Sequence, residues 1–355
     1  MIVAEGEGRT GPGRALLPLA AFGLGLLILA AGLTAAGYSA SDGLAALWRG
    51  SLGSWYSLSS ATLPRMVPLL FIGAGLSLAF RAGAFNIGAE GQFYAGAIAA
   101  TWVGLHLGGW PWPLALAAVG IAAMVAGALW CLIPTVLRVR FGVLEVISTL
   151  LMNFVAVALV SFMVTGPLQE ARRVYPQSDP IAEAARLPVL AGTRLHLGLP
   201  IAVLLCLALR VAYDRTRWGF RLRALGAGPR AAVITGRVPT ARYLALALLG
   251  SAALAGLAGA AEVSGVSYAL FQNLSPGYGF TAIAVVLLAR LDPAGLLGAA
   301  LLFAALEAGA GAMQREAGIP SVAVYVVEAV VILVVVIAEA QSRRRGERGE
   351  AGEGP

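Results

Sequence analysis

A first cluster of polar side chains lies beside a glycine-rich stretch between two apolar segments. Asn86, Glu90 and Gln92 offer amide and carboxylate groups, and the ring of Phe93 follows directly. The glycines at 83, 88 and 91 suit a non-helical stretch, which membrane proteins tolerate only where it is buried in protein or lines a wet cavity. The cluster therefore predicts a solute pathway, and a loop at the level of the headgroups is the alternative.

Two further clusters could line the same pathway. Glu145, Thr149 and Asn153 are spaced i, i+4, i+8, which places them on one face of a helix. Such a stripe either lines a path or joins two helices by hydrogen bonds, and both interpretations stay open. The third cluster, Tyr278 to Thr281, includes Phe280 and a permissive glycine. Its aromatic rings could face a solute or lie at the membrane interface.

Covalent catalysis is not expected of this chain. It has no HExxH and no GxSxG motif, and its two histidines stand far apart. All 25 basic residues are arginine, so a phosphate-binding loop with its required lysine is excluded. Cys131 and Cys206 lie in apolar runs, so no disulfide is expected. His106 and His196 stand alone near span ends, so no zinc site is expected. Any ATP-driven step must use another subunit to bind the nucleotide.

The composition is that of an integral membrane protein. The 355 residues are 59% hydrophobic and 12% charged, whereas a soluble domain carries about 25% charged residues. The formal net charge is +7, but the arginines concentrate at the ends of apolar runs and in one loop. We interpret them as topology determinants in a lipid bilayer and expect no nucleic-acid partner.

The expected fold is an all-α, polytopic membrane protein with about ten transmembrane helices. The predicted spans are 15–37, 62–80, 91–107, 112–136, 143–165, 197–213, 243–264, 279–290, 294–312 and 321–339. The first is interpreted as a retained span, because its apolar run is too long for a signal-peptide core. This gives a cytoplasmic N-terminus at 1–14, a transmembrane domain at 15–340 and a disordered cytoplasmic tail at 341–355.

Two of the predicted spans are short, and they occupy the same position in the two halves of the chain. Ten spans divide into two sets of five, and the third and the eighth are the short ones. The first set starts inside and the second outside, as an inverted repeat requires. Short, interrupted segments at matching positions of two halves indicate a transport pathway. No residue-level repeat supports the symmetry, so two inverted five-helix halves remain a hypothesis.

The most basic segment is the loop 213–243, which holds seven arginines and one acid, Asp214. A short, strongly basic loop between two spans belongs on the cytoplasmic side. Within it, Pro229 can begin a helix of about two turns and Gly236 can end it. A partner protein could bind that helix. The alternative is an ordinary basic loop that only sets the topology.

Four stretches resemble the permease subunits of bacterial ABC importers of the branched-chain amino acid and ribose permease family. They are Phe85–Gln92, Glu145–Asn153, Gly279–Val285 and Arg223–Gly236. The form FNIGAEGQ at Phe85–Gln92 is similar to the nucleoside-importing members. Gly228 stands where family members usually carry Asn before the proline. Arg237 stands where an apolar residue usually follows the glycine. These departures concern the contact with the ATPase.

The resemblance implies an importer with a second permease subunit, a cytoplasmic ABC ATPase and an extracytoplasmic solute-binding lipoprotein. ATP and magnesium would bind the ATPase, and this chain in the inner or plasma membrane would need no cofactor. Residues that match the family's coupling segment are Arg223, Gly226, Pro229, Arg230, Ala231, Ala232, Thr235 and Gly236. Nucleosides are the expected solutes, with ribose-like sugars or branched-chain amino acids as the alternative. A second alternative is a proton-coupled carrier that uses Glu145, Glu307 or Glu328.

Overall fold

The structure, a computed structural model, describes residues 12–228, 239–330, 332–334 and 337, with side chains from residue 22 onward. The predicted helix from Pro229 to Thr235 and the tail 341–355 lie outside the described residues, as does most of the N-terminal segment 1–14. The apolar sequence forms helices because a backbone that crosses a bilayer must satisfy its own hydrogen bonds. Within the described residues, extended pairing is limited to two isolated bridges.

Thirteen α-helices lie within the described residues, and most of them overlap a predicted span. They are α1 (Pro12–Ala35), α2 (Ala40–Ser51), α3 (Trp55–Ser57), α4 (Leu63–Arg81), α5 (Ala89–Leu105), α6 (Trp112–Trp130), α7 (Leu132–Phe141), α8 (Glu145–Thr165), α9 (Gly198–Arg215), α10 (Arg217–Ala227), α11 (Thr240–Glu262), α12 (Tyr278–Leu288) and α13 (Gly295–Ala317). Residues 324–330 and 332–334 are also helical. Short π-helices cover Leu58–Thr62 and Val263–Ser267.

Five of the described helical stretches are long and apolar enough to cross a membrane on their own. They are Trp55–Arg81, Trp112–Phe141, Glu145–Thr165, Thr240–Ser267 and Gly295–Ala317. The predicted third and eighth spans are short in the structure, at 17 residues for α5 and 11 for α12. The all-α, polytopic fold class is confirmed.

The structure differs from the sequence prediction in two places. The connection 39–63 between the first two predicted spans contains α2, α3 and a π-helix, none of which was predicted. The side chain of Ser39 caps α2 by accepting a hydrogen bond from the backbone N–H of Asp42. The fourth span is interrupted at Cys131. Pro134 causes that break, because it lacks the N–H that would bond the carbonyl of Trp130.

The described residues divide into two compact units, the first within 63–304 and the second within 12–62 and 305–337. In the second unit α2 carries Arg49, whose Nη2 lies 2.9 Å from a carboxylate oxygen of Glu316. Neither unit corresponds to a set of five spans, and the inverted-repeat hypothesis stays a prediction. The first unit contains all three polar clusters.

Helix α11 is the packing centre of the first unit, in contact with α4, α5 and α6. Its small residues allow this close approach. A Cβ built at Gly256 would overlap the backbone carbonyl of Ala123 in α6, and one at Gly96 in α5 would overlap Gly256. Small residues serve this purpose where lipid gives no hydrophobic drive for helix association.

Candidate functional site

The segment between α4 and α5 is held by the polar face of α8. Its residues 83–88 are not helical, as predicted, so their backbone groups need partners elsewhere. The N–H of Phe85 donates to Oε1 of Glu145 (3.0 Å), and the N–H of Ile87 donates to Oγ1 of Thr149 (3.2 Å). The other carboxylate oxygen of Glu145 lies 3.0 Å from Nε of Arg138 in α7. Two of the predicted clusters therefore form one site.

Asn153 completes the polar stripe of α8. Its Oδ1 accepts the N–H of Gly91 at 2.8 Å, and its Nδ2 donates to the carbonyl of Ile87 at 2.9 Å. The backbone of α5 lies close to α8 at this point, since a Cβ at Gly91 would lie 3.0 Å from Oδ1 of Asn153. Asn153 is buried and is bonded through both ends of its carboxamide. It therefore fixes the start of α5 against α8.

The side chains of the first cluster pair with each other and with α11. Asn86 and Gln92 exchange two hydrogen bonds, of 2.8 and 2.9 Å. Nδ2 of Asn86 also donates to Oγ of Ser251, a residue that the sequence analysis did not select. A lone hydroxyl in an otherwise apolar span was the available signal. Both carboxamides are fully buried, so in this conformation they bond to protein groups.

Glu90 joins the two short helices. It lies in the first turn of α5, and its Oε2 accepts the N–H of Gly279 in the first turn of α12 at 2.7 Å. The two backbones touch here, because a Cβ at Gly279 would overlap the backbone of Glu90. The N-terminal ends of both helices, each with a partial positive charge, thus converge on one buried carboxylate.

Only part of the third cluster lies at this junction. The buried ring of Tyr278 lies 6.0 Å from the ring of Phe93, which is also buried. Phe280 instead has 48% of its surface exposed, and Thr281 is partly exposed. The structure therefore brings Tyr278 to the site and directs Phe280 away from the core of this unit.

A cavity of 160 Å³ adjoins the junction. Its lining is Tyr94, Val157, Val160, Ser161, Gln272 and Asn273. Nε2 of Gln272 donates to Oγ of Ser161 at 2.7 Å, and the hydroxyl of Tyr94 lies 3.3 Å from the N–H of Ser275. Asn273 adopts the left-handed conformation with a φ of 58°, which asparagine tolerates better than most residues. The cavity combines carboxamides, hydroxyls and an aromatic ring, which are groups that bind polar solutes.

A second, larger groove of 490 Å³ lies between α5, α6 and α8. Apolar residues such as Ile98, Leu129 and Met163 line it almost completely. None of the predicted site residues contributes to this groove. It is therefore a separate feature from the polar junction.

Most of the described part of the basic loop is the helix α10. Its residue Arg223 donates from Nη1 to the backbone carbonyl of Tyr213 (2.8 Å). A Cβ at Gly226 would overlap the carbonyl oxygen of Arg81, so α10 rests directly on the end of α4. The remaining predicted coupling residues, Pro229 to Gly236, lie outside the described residues.

Within the described residues, several long apolar helices and, in the first unit, a buried junction of two short helices are typical of a membrane transport protein of the permease class. A family model described as the permease component of the branched-chain amino acid transport system matches residues 59–337. The chain belongs to this family and is the permease subunit of an ABC transporter.

Three curated relatives cover most of the chain. The guanosine ABC transporter permease of Bacillus subtilis is 37% identical over 90% of this chain and 92% of its own length. The nucleoside ABC transporter permease of Lactococcus lactis is 33% identical over 91% of both chains. The glucose ABC transporter permease of Haloferax volcanii is 38% identical over 83% of this chain and 80% of its own length.

Proposed function

We propose that this chain is the membrane-spanning subunit of an ATP-driven importer that carries nucleosides into the cell. The observation that carries the proposal is the junction where the N-terminal ends of α5 and α12 meet at Glu90. In transporters, discontinuous helices that meet at membrane depth form the solute pathway. Two of the relatives that match nearly the whole chain are named for guanosine or nucleoside transport.

The orientation follows from the distribution of arginine. Arg81, Arg138 and the basic helix α10 lie at the same end of the first unit, because α10 contacts Arg81 and Arg138 reaches the segment that follows Arg81. By the positive-inside rule this end faces the cytoplasm. Both termini are then cytoplasmic, and the chain is a multi-pass protein of the inner or plasma membrane.

The need for an ATPase partner follows from a motif that the sequence lacks, and the other partners follow from the family. Without any lysine it has no phosphate-binding loop, so a separate cytoplasmic ATPase hydrolyses ATP with magnesium. The basic segment 213–243 is the proposed contact with that ATPase. A second permease subunit completes the pathway, and an extracytoplasmic lipoprotein delivers the solute. The chain itself catalyses no covalent reaction.

The 160 Å³ cavity is the proposed solute contact. The carboxamides of Gln272 and Asn273 can donate to and accept from the polar edge of a nucleobase, and the ring of Tyr94 offers an aromatic surface. The buried residues Asn86, Glu90, Gln92, Glu145, Thr149 and Asn153 hold the walls of the pathway. A sugar is the alternative solute, since a relative of similar identity is named for glucose.

Uptake of labelled guanosine tests the proposal. Cells lacking this gene are complemented with the wild type, with Arg230→Asp or with Thr235→Asp, and uptake is compared at equal amounts of membrane protein. Arg172→Asp, in the loop at the other end of the bundle, is the control. We expect the wild type and the control to restore uptake and both loop variants to lose it.

Two results would contradict parts of this proposal. Equal rescue by all variants would show that segment 229–236 does not couple to the ATPase. If the deletion leaves guanosine uptake unchanged but abolishes glucose uptake, the solute class is wrong and the sugar alternative holds.

A further inference from the structure

The end of α4 meets three other parts of the first unit at a single side chain, Arg81. Its guanidinium donates from Nε (3.1 Å) and from Nη2 (3.0 Å) to the carbonyl of Leu291. The same group lies over the ring of Tyr213, 4.4 Å from the ring centre. Its backbone carbonyl is in direct contact with Gly226 of α10. One residue therefore touches α9, α10 and the turn after α12.

Arg81 is connected to both short helices, to α5 along the chain and to the turn after α12 by hydrogen bonds. Arg81 ends α4 and is followed at once by the segment 82–88, which leads into α5. Leu291 lies in the turn that ends α12, where Arg290 and Leu291 have φ values of 53° and 61°. A turn with two consecutive left-handed residues persists only when its surroundings enforce it. The two hydrogen bonds from Arg81 provide that constraint.

The contact with α10 is equally well fixed. Tyr213 is buried, its hydroxyl lies 2.9 Å from that of Ser77 in α4, and its ring stacks on Trp218 at 5.9 Å. Arg223 of α10 donates to the carbonyl of the same Tyr213. The ring of Tyr213 stacks on Trp218 of α10, and its backbone carbonyl accepts a hydrogen bond from Arg223 of α10. A displacement of α10 would therefore move Tyr213, and with it the guanidinium of Arg81 that lies over the tyrosine ring.

We propose that Arg81 is a positioning residue that transmits movement of α10 to both short helices at once. This inference rests on the proposed function, since it assumes that the ATPase acts on the basic segment after α10. A guanidinium suits the role because it combines a planar face for the tyrosine ring with a fixed pair of donors for one carbonyl. The movement would reach the junction at Glu90 from the α5 side and from the α12 side.

The test compares transport with ATP hydrolysis in the assembled importer reconstituted in proteoliposomes. The ratio of labelled guanosine imported to ATP hydrolysed is measured for the wild type, Arg81→Gln and Arg81→Lys. Mutations in coupling networks change coupling by factors of about 2 to 30, so we expect the ratio in Arg81→Gln to fall about fivefold while stimulated hydrolysis persists. Arg81→Lys keeps the charge but not the planar face, and we expect a smaller fall.

Arg210→Gln is the matched control. Arg210 pairs with Asp292 at 2.9 Å, and Asp292 follows Leu291 in the turn after α12. Within the described residues, the guanidinium that lies over the Tyr213 ring is that of Arg81. We expect its ratio to equal that of the wild type. A wild-type ratio in Arg81→Gln overturns the inference, and where that variant is absent from the membrane, a wild-type ratio in Arg81→Lys overturns it. A wild-type complex that hydrolyses ATP but imports no guanosine refutes the proposed solute instead.

Discussion

Asn153 shows how one side chain can serve two backbone groups that no helix satisfies. The N–H of Gly91 in the first turn of α5 and the carbonyl of Ile87 just before α5 have no helical partners, and Asn153 bonds to both. An unpaired buried donor or acceptor costs about 1–3 kcal/mol. The polar stripe on α8 is therefore a stabilising contact between helices, whichever role it has in transport.

Asn153→Ala should lower the thermal stability of the purified protein by an amount equivalent to roughly 2 kcal/mol, because two buried backbone groups lose their partners. Ser148→Ala is the control, since within the described part of the chain the hydroxyl of Ser148 bonds to the carbonyl of Glu145 in its own helix. Thermal unfolding monitored by size-exclusion chromatography measures both. Equal midpoints for the two variants would contradict this assignment.

His196 predicts a dependence of stability on pH. The ring is buried in the loop before α9, its Nδ1 accepts the N–H of Gly198, and Nε2 has no partner within the described residues. Burial lowers the pKa of His196 to about 4. Since the unfolded chain has a histidine pKa of about 6.5, it binds more protons than the folded chain between pH 6.5 and 4.

The contribution of His196 should be complete above pH 6.5 and should be lost as the pH falls towards 4, by about 3 kcal/mol in total. His196→Gln should remove that part of the acid sensitivity. The unfolding midpoint measured from pH 7.5 to 4.5 tests this, with His106→Gln as the control because His106 is exposed. An unchanged pH profile in His196→Gln would refute the account.

At the scale of elements, the close contact of α11 with α5 and α6 depends on missing side chains. Gly256 lies against the backbone of Ala123, whereas a Cβ at Gly250 in the same helix would meet only Leu78, at 3.6 Å. Within one helix, then, one glycine is required by packing and another is not. This difference was not readable from the sequence, where both are small residues in an apolar run.

Gly256→Ala should destabilise the protein by about 1–3 kcal/mol, because α11 must move away from α6. Gly250→Ala should be neutral or stabilising by up to about 1 kcal/mol, since alanine is the better helix former. The two midpoints of thermal unfolding, measured side by side, check the pair. Equal destabilisation by both substitutions would show that helix packing at Gly256 is looser than described.

The junction of the short helices makes a separate prediction. Glu90→Ala removes the acceptor for the N–H of Gly279 and the charge between two helix N-termini, whereas Glu90→Gln removes only the charge. Transport by Glu90→Ala should therefore fall more than transport by Glu90→Gln. Rates of guanosine uptake at equal protein amounts measure the order. Glu183→Gln, in the loop before α9, is a control, and the reverse order would contradict the proposed junction.

At the scale of the whole molecule, the spans could be predicted because a membrane helix needs a long apolar run. The helices in 40–62 were missed, because that stretch is more polar and depends on a cap at Ser39 and on the ion pair of Arg49. The facing of Glu145, Thr149 and Asn153 followed from helical spacing. Their partners did not, because the segment 83–88 approaches α8 only through the tertiary fold.

The most direct test uses proteoliposomes that contain this chain, its partner permease, the ATPase and the solute-binding lipoprotein. Accumulation of labelled guanosine is measured with ATP on the side of the ATPase, without ATP, and with a proton gradient alone. The account predicts accumulation with ATP only, and none when the ATPase is omitted. Accumulation driven by the proton gradient without ATP would contradict it and would favour a carrier that uses Glu145, Glu307 or Glu328.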